Sequence, residues 1–179
     1  IEKATYRGEV ELIDFDLRRW TDDPNFGSIT LLAKITDGSG LKGSTASANL
    51  ETTIKKFEFK EYDYANINFK GSLNKQLLDG ILNIHDPNAD LDFEGKIDFT
   101  KTVPEYTFVS SITALDLYKL NLSKKPLSFT GLLDFNLKGK KLDDLQGTLN
   151  LKEAKIKSDS SINELKELTL MSSFDSKSE

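Results

Sequence analysis

The chain has 179 residues, 24 Lys and Arg against 29 Asp and Glu, a formal net charge of −5, and no cysteine. These numbers suit one ordinary domain and exclude disulfides and thiolate metal sites. Mixed charge with no basic block, and only three arginines (Arg7, Arg18 and Arg19), argues against nucleic acid as a partner.

Taken in chain order, the recurring signal is alternation with period two, the mark of a half-buried strand. YRGEVEL (6–12) opens the series, and TDDPNFG (21–27) and TDGSG (36–40) read as turns. LKGSTAS (41–47) repeats the pattern of the opening stretch. NLETTIKKFEFKEYDY (49–64) alternates in pieces and slips phase at Lys55-Lys56, as at a bulge. YANINFKGSLN places Ala65, Ile67, Phe69, Gly71 and Leu73 on one face. After NKQ (74–76) comes LDGILNI (78–84), and HDPNAD (85–90) then leads into LDFEGKIDF (91–99). There Leu91, Phe93, Gly95, Ile97 and Phe99 face one way, and four charged residues face the other.

KTVP (101–104) precedes EYTFVSSITALDL (105–117), which is apolar on both faces for part of its length and predicts a strand covered on both sides. Beyond SKKP (123–126), SFTGLLDFNLKG aligns Phe129, Gly131, Leu133, Phe135 and Leu137. Beyond GKKLDD (139–144), LQGTLNLKEAKI aligns Leu145, Gly147, Leu149 and Leu151. SSINELKEL (160–168) carries a weak helical pattern with a Ser cap and Glu164 three residues on. LTLMSSF behind it reads as another strand. The expectation is an all-β fold over residues 1–179, a mostly antiparallel, elongated and curled sheet. No apolar run approaches the ~20 residues that a membrane-spanning helix needs. The missing initial Met and the polar DSKSE end are read as marks of a segment from a longer polypeptide.

Glycine is the odd residue in these strands. Of 11 glycines, those at 8, 43, 71, 80, 95, 131 and 147 share one context: apolar, any, Gly, any, then a strand former. Their spacing is irregular, from 9 to 36 residues, so this is a strand-level repeat with variable hairpins rather than a solenoid of fixed period. Mid-strand glycine weakens a strand. It allows a bend where a sheet curls, and it removes side chains along one line of an apolar face. A curled sheet makes a trough, so the two roles are compatible.

Catalytic signals are absent from this pattern. His85 is the one histidine and sits beside a Pro turn, with no second His or Cys to complete a zinc site or a nucleophile pair. Asp86, Asn88, Asp90 and Asp92 have the spacing of the first half of a calcium loop. Leu91 replaces its glycine and Ile97 its bidentate glutamate, so an acidic hairpin turn is the better reading. Asp143-Asp144 likewise fits a turn. Ser and Thr have no base to activate them, and no phosphate-cradling loop occurs. A non-enzyme without cofactor or metal is expected.

An apolar trough would hold a lipid acyl chain without a specific pocket. Each methylene removed from water contributes roughly 0.8 kcal/mol, so ~16 carbons gross on the order of 10 kcal/mol before ordering costs. The expected lining is Ile67, Phe69, Leu73, Leu82, Ile84, Leu91, Phe93, Ile97, Phe99, Phe108, Ile112, Phe129, Leu133, Phe135, Leu149 and Leu151. Gly71, Gly80, Gly95, Gly131 and Gly147 lie among them.

Three segments carry a family resemblance: Asp86–Phe99 (D-x-N-x-D-L-x-F-x-G-x-I-D-F), Ala114–Leu122 (A-L-D-L-x-x-L-N-L) and Leu142–Leu151 (L-D-D-L-x-G-x-L-x-L). Over about residues 41–173 the chain resembles the TamB family of the AsmA-like superfamily, and within it the TamB-like proteins of Bacteroidota. The resemblance implies an internal piece of a large protein tethered to the inner membrane and crossing the periplasm of a diderm, Gram-negative bacterium. It implies a β-taco, a sheet folded around an apolar concave groove. It implies phospholipid transport between the inner and outer membranes, with acyl chains as the ligand. It also implies a part in outer-membrane biogenesis with an Omp85-type barrel partner (the translocation and assembly module), met through regions outside this segment.

Two alternatives stand beside it: a scaffold that binds nascent outer-membrane β-strands by augmentation along an open edge, and a closed β-sandwich surface or adhesin module. An isolated piece of such a sheet is expected to associate with itself through exposed strand edges.

Overall fold

The computed structural model describes residues 5–42, 44–140 and 144–173. The strands are β1 (Thr5–Asp16), β2 (Phe26–Ser39), β3 (Ser47–Phe59), β4 (Tyr62–Tyr64), β5 (Ile67–Asn74) and β6 (Leu77–Asp86). They continue with β7 (Ala89–Asp98), β8 (Glu105–Asp116), β9 (Leu127–Lys138), β10 (Gln146–Ser158) and β11 (Ile162–Ser172). All join one antiparallel sheet in the order β1-β2-β3-β5-β6-β7-β8-β9-β10-β11, with the short β4 folded back on β3. The sheet is not closed into a barrel, and among the described residues β1 and β11 are its edge strands. The two-sheet sandwich considered from sequence is not the arrangement observed. No helix among the described residues is long and apolar enough to cross a membrane.

Register follows from alternation, because directly paired residues share a face. One row crosses the sheet as Gly8, Ile35, Leu50, Gly71, Gly80, Gly95, Phe108, Phe135, Leu149 and Leu170. The next runs Val10, Ala33, Thr52, Phe69, Leu82, Phe93, Ser110, Leu133, Leu151 and Leu168. A third contains Ile54, Ile67, Ile84, Leu91, Ile112 and Gly131. The opposite face carries cross-strand ion pairs: Glu51–Lys70 at 2.8 Å, Asp79–Lys96 at 3.3 Å and Lys155–Glu164 at 2.8 Å. Lys70 beside Glu51 holds that carboxyl below its usual range by hydrogen bond and charge.

The core is small and lies toward one end of the strands. Tyr64, Ile67, Ala89, Leu91, Ile112 and Leu120 form its buried cluster, with Phe57, Phe59, Tyr62, Leu115 and Phe129 packed against it. This joins side chains of β3 and β4 to those of β8 and β9, which are several strands apart in the sheet. A curled sheet bridged by the β8–β9 connection brings them together. Buried Asp86 fastens the same end: it accepts from the Tyr62 hydroxyl at 2.5 Å, from the Ala65 N–H at 3.0 Å and from the Asn88 N–H at 2.9 Å.

Several expectations change. The stretch 160–168 is strand, not helix: Ile162–Ser172 pairs along β10. Its apolar residues Leu165 and Leu168 fall three apart, as in a helix, because they oppose Ala154 and Leu151 across a bulge in β10. Glu153, at φ 49°, sits inside that bulge. TDGSG is not a separate turn, since β2 runs through Asp37 and Gly38 to Ser39. The segment 41–47 is a loop up to Ser47, and its Gly43 lies outside the described residues. So does part of the turn at 139–144, including Asp143.

A short helix, α1 (Leu17–Thr21), joins β1 to β2, where the sequence pattern gives no sign of one; Asp16 caps it by accepting from the Arg19 N–H at 3.1 Å. β8 is covered on one side only, as Val109 on its outer face is 51% exposed. The phase slip in β3 is a bulge as expected: Leu31 pairs with Ile54 and Thr30 with Lys56, leaving Lys55 between them.

Candidate functional site

Gly71, Gly80 and Gly95 pair directly with one another across three adjacent strands. A Cβ on Gly95 would lie 2.1 Å from the Thr107 carbonyl oxygen and 2.8 Å from the Phe108 Cα. One on Gly80 would meet the Lys70 carbonyl oxygen at 2.6 Å and the Gly71 Cα at 2.8 Å. Neighbouring backbones therefore crowd inward along this row, and a side chain there would prop them apart. Aromatic rings lean into the vacated space. The Phe69 ring lies against Gly71 and Gly80, and the Phe108 ring against Gly95. The glycine row thus serves the bend, and the space it leaves is shared with these rings.

Beside the row is an apolar cavity of about 350 Å³, lined by Phe69, Leu78, Gly80, Leu82, Phe93, Gly95, Ile97, Phe108 and Phe135. Its wall includes an aromatic ladder: Phe93 meets Phe108 edge-on with centroids 6.2 Å apart, and Phe108 meets Phe135 at 5.1 Å. Among the described residues no charged side chain lines it. Such a surface can take up aliphatic groups and offers no polar anchor to select among them.

The structure brings eight of the expected groove residues to this cavity: Phe69, Leu82, Phe93, Ile97, Phe108, Phe135, Gly80 and Gly95. Leu78 also lines it and escapes the sequence reading, although it stands on the apolar side of LDGILNI. Leu73 pairs with Leu78 in the adjoining row. Ile67, Leu91 and Ile112 belong to the buried cluster, with Ile84, Phe129 and Leu133 packed on it. Leu149 and Leu151 continue the face on β10, opposite Phe135 and Leu133. Phe99 lies just past the end of β7 and is 47% exposed. Gly131 opposes Ile112 at φ 150°, and Gly147 opposes Leu137 at φ 138°; these two sit outside the central glycine row.

Sequence reasoning also missed Leu120. The β8–β9 connection folds over the apolar face, and Leu120 is fully buried at 0% exposure, although it comes from a loop. The only signal is the apolar spacing of ALDLYKLNL, which reads equally well as strand.

The acidic turn is internally engaged. Asp90 accepts from Thr113 and lies 2.7 Å from His85 Nδ1, and Asp92 accepts from Asn83. The Asp90 carboxylate raises the His85 pKa through that hydrogen bond. Among the described residues no group of His, Cys, Asp and Glu could hold a metal ion.

No protein-family model, curated protein or solved structure matches this chain.

Proposed function

We propose that the chain is a non-catalytic segment of a lipid-conducting groove of the TamB type. In this reading it lies in the periplasm, within a protein tethered to the inner membrane, and passes phospholipid acyl chains toward the outer membrane. The observation that carries the reading is the uncharged cavity on the one apolar face of a single, unclosed sheet. Acyl chains gain by leaving water, and along the rows that cross from strand to strand one Leu or Phe lining resembles the next, so a lipid can slide across the sheet without a deep trap. The ion pairs of the outer face keep that side wetted.

The test is lipid recovered with the purified chain, quantified by mass spectrometry, for wild type and Ile97→Arg. Ile97 lines the cavity, and an uncompensated guanidinium there opposes an apolar ligand. The expected result is lipid with wild type and a severalfold loss in the variant, with β-sheet circular dichroism unchanged. Equal recovery from a folded variant overturns the reading.

A second reading, strand augmentation of outer-membrane barrel proteins, is favoured by the edge strands β1 and β11. It predicts photo-crosslinks from Val10 and Leu170 to barrel clients that persist in Ile97→Arg. The same edges would carry self-association, read out by sedimentation.

A further inference from the structure

The apolar face is longer than the cavity. Along the strands, Leu82 and Phe93 line the cavity on one side and pack against the buried cluster on the other. Beyond them lies the row of Ile67, Leu91 and Ile112, and there the face is occupied by Leu120. An aliphatic group is thus already seated where the trough would otherwise continue.

Its support is specific. The Leu120 N–H donates to the Asp116 carbonyl at 3.0 Å, and the N–H groups of Leu122 and Ser123 both donate to the Leu117 carbonyl, at 2.8 and 2.9 Å. The Lys119 N–H donates to Asp116 Oδ1 at 3.1 Å. Asn121, at φ 59°, then reaches across to the Lys60 carbonyl through Nδ2 at 2.9 Å. The loop is a braced strap rather than loose cover.

We propose that this strap sets the capacity of the groove, with Leu120 standing in for methylenes of a bound acyl chain and acting as the stop for its tip. The proposal rests on the acyl-chain reading above and adds the boundary of the site. It makes Leu120 a specificity-determining residue. Cavity volume and side-chain volume exchange directly: trimming Leu120 to alanine removes about three carbons from the buried cluster against which Leu82 and Phe93 pack.

The experiment is titration calorimetry with saturated fatty acids from about 8 to about 16 carbons. Affinity is expected to climb by roughly fourfold per methylene while each added carbon is buried, then level off. In Leu120→Ala the levelling point moves to chains about two to three carbons longer, while Leu120→Met, which conserves volume, leaves it in place. Asn121→Gly keeps the backbone conformation and Leu120 but removes the tether, so it shifts the point in the same direction and covers the case in which Leu120→Ala does not fold. Unchanged levelling in folded variants that still bind fatty acid overturns the stop while sparing the groove. Absence of fatty-acid binding in every protein, wild type included, overturns both.

Discussion

Asn121 donates its side-chain amide to the main-chain carbonyl of Lys60 at 2.9 Å, across 61 residues of chain. The register contacts of the sheet join much nearer neighbours, so this bond ties the β3–β4 turn to the β8–β9 strap in a way no strand pairing does. Replacing Asn121 by alanine removes the bond and also places a non-glycine, non-asparagine residue at φ 59°. A loss of about 1 to 2 kcal/mol is expected in urea unfolding. Asn121→Gly should lose less, since it retains the backbone geometry. Equal losses would show that the bond, not the conformation, dominates.

Two glycines of one row give an internal comparison. Among the described residues a Cβ added at Gly8 would meet nothing within 4 Å, whereas one at Gly95 would meet the Thr107 carbonyl oxygen at 2.1 Å. Gly8→Ala should stay within about 0.5 kcal/mol of wild type. Gly95→Ala should cost more than about 2 kcal/mol, because backbone on the neighbouring strand must move. Thermal unfolding of the two variants checks both; a benign Gly95→Ala would refute the crowding of that row.

Ser110 lies in the apolar row between Phe93 and Leu133, is 5% exposed, and its hydroxyl has no hydrogen-bond partner among the described residues. A buried hydroxyl without a partner carries a desolvation penalty. Ser110→Ala is therefore expected to be neutral or to stabilise by about 1 kcal/mol in denaturant unfolding. A clear loss of stability would mean that the hydroxyl is satisfied in solution.

Burial raises the Tyr64 hydroxyl from its ordinary 10.0 to about 12. Tyr62 and Asp86 add to the same direction through their charge. The folded state thus holds its proton where the unfolded chain releases it. The associated stability is complete below pH ~10 and is lost as pH rises toward about 12. Ultraviolet titration should show a late-ionising tyrosine component that shrinks in Tyr64→Phe, with Tyr62 also raised, by burial and its hydrogen bond to Asp86. Tyr64→Phe should flatten the stability profile across that alkaline window, and an unaltered slope would remove Tyr64 as its cause.

The strands were legible because alternation is a local signal: LDFEGKIDF already separates Phe93 and Ile97 from Glu94 and Lys96, and the sheet keeps that division. Lys55 announced its bulge in the same way. What the alternation cannot encode is which strands align. That Gly71, Gly80 and Gly95 meet depends on the register of two hairpins, and their turn residues set it. The pattern at Leu165 and Leu168 misled because a bulge produces helical spacing within a strand. Leu120 escaped notice because its burial depends on elements far away in sequence, while its local neighbours look like more strand.

The simplicity of the meander bears on how the chain acquires its shape. Strand pairs in the sheet join segments close in sequence, apart from the detour of β4. Closing each new hairpin costs little loop entropy, so the sheet is expected to grow rung by rung from the tight turns. The strap is different. It has nowhere to dock until β3 through β8 stand side by side, and its latch on Lys60 is then expected to come late in folding.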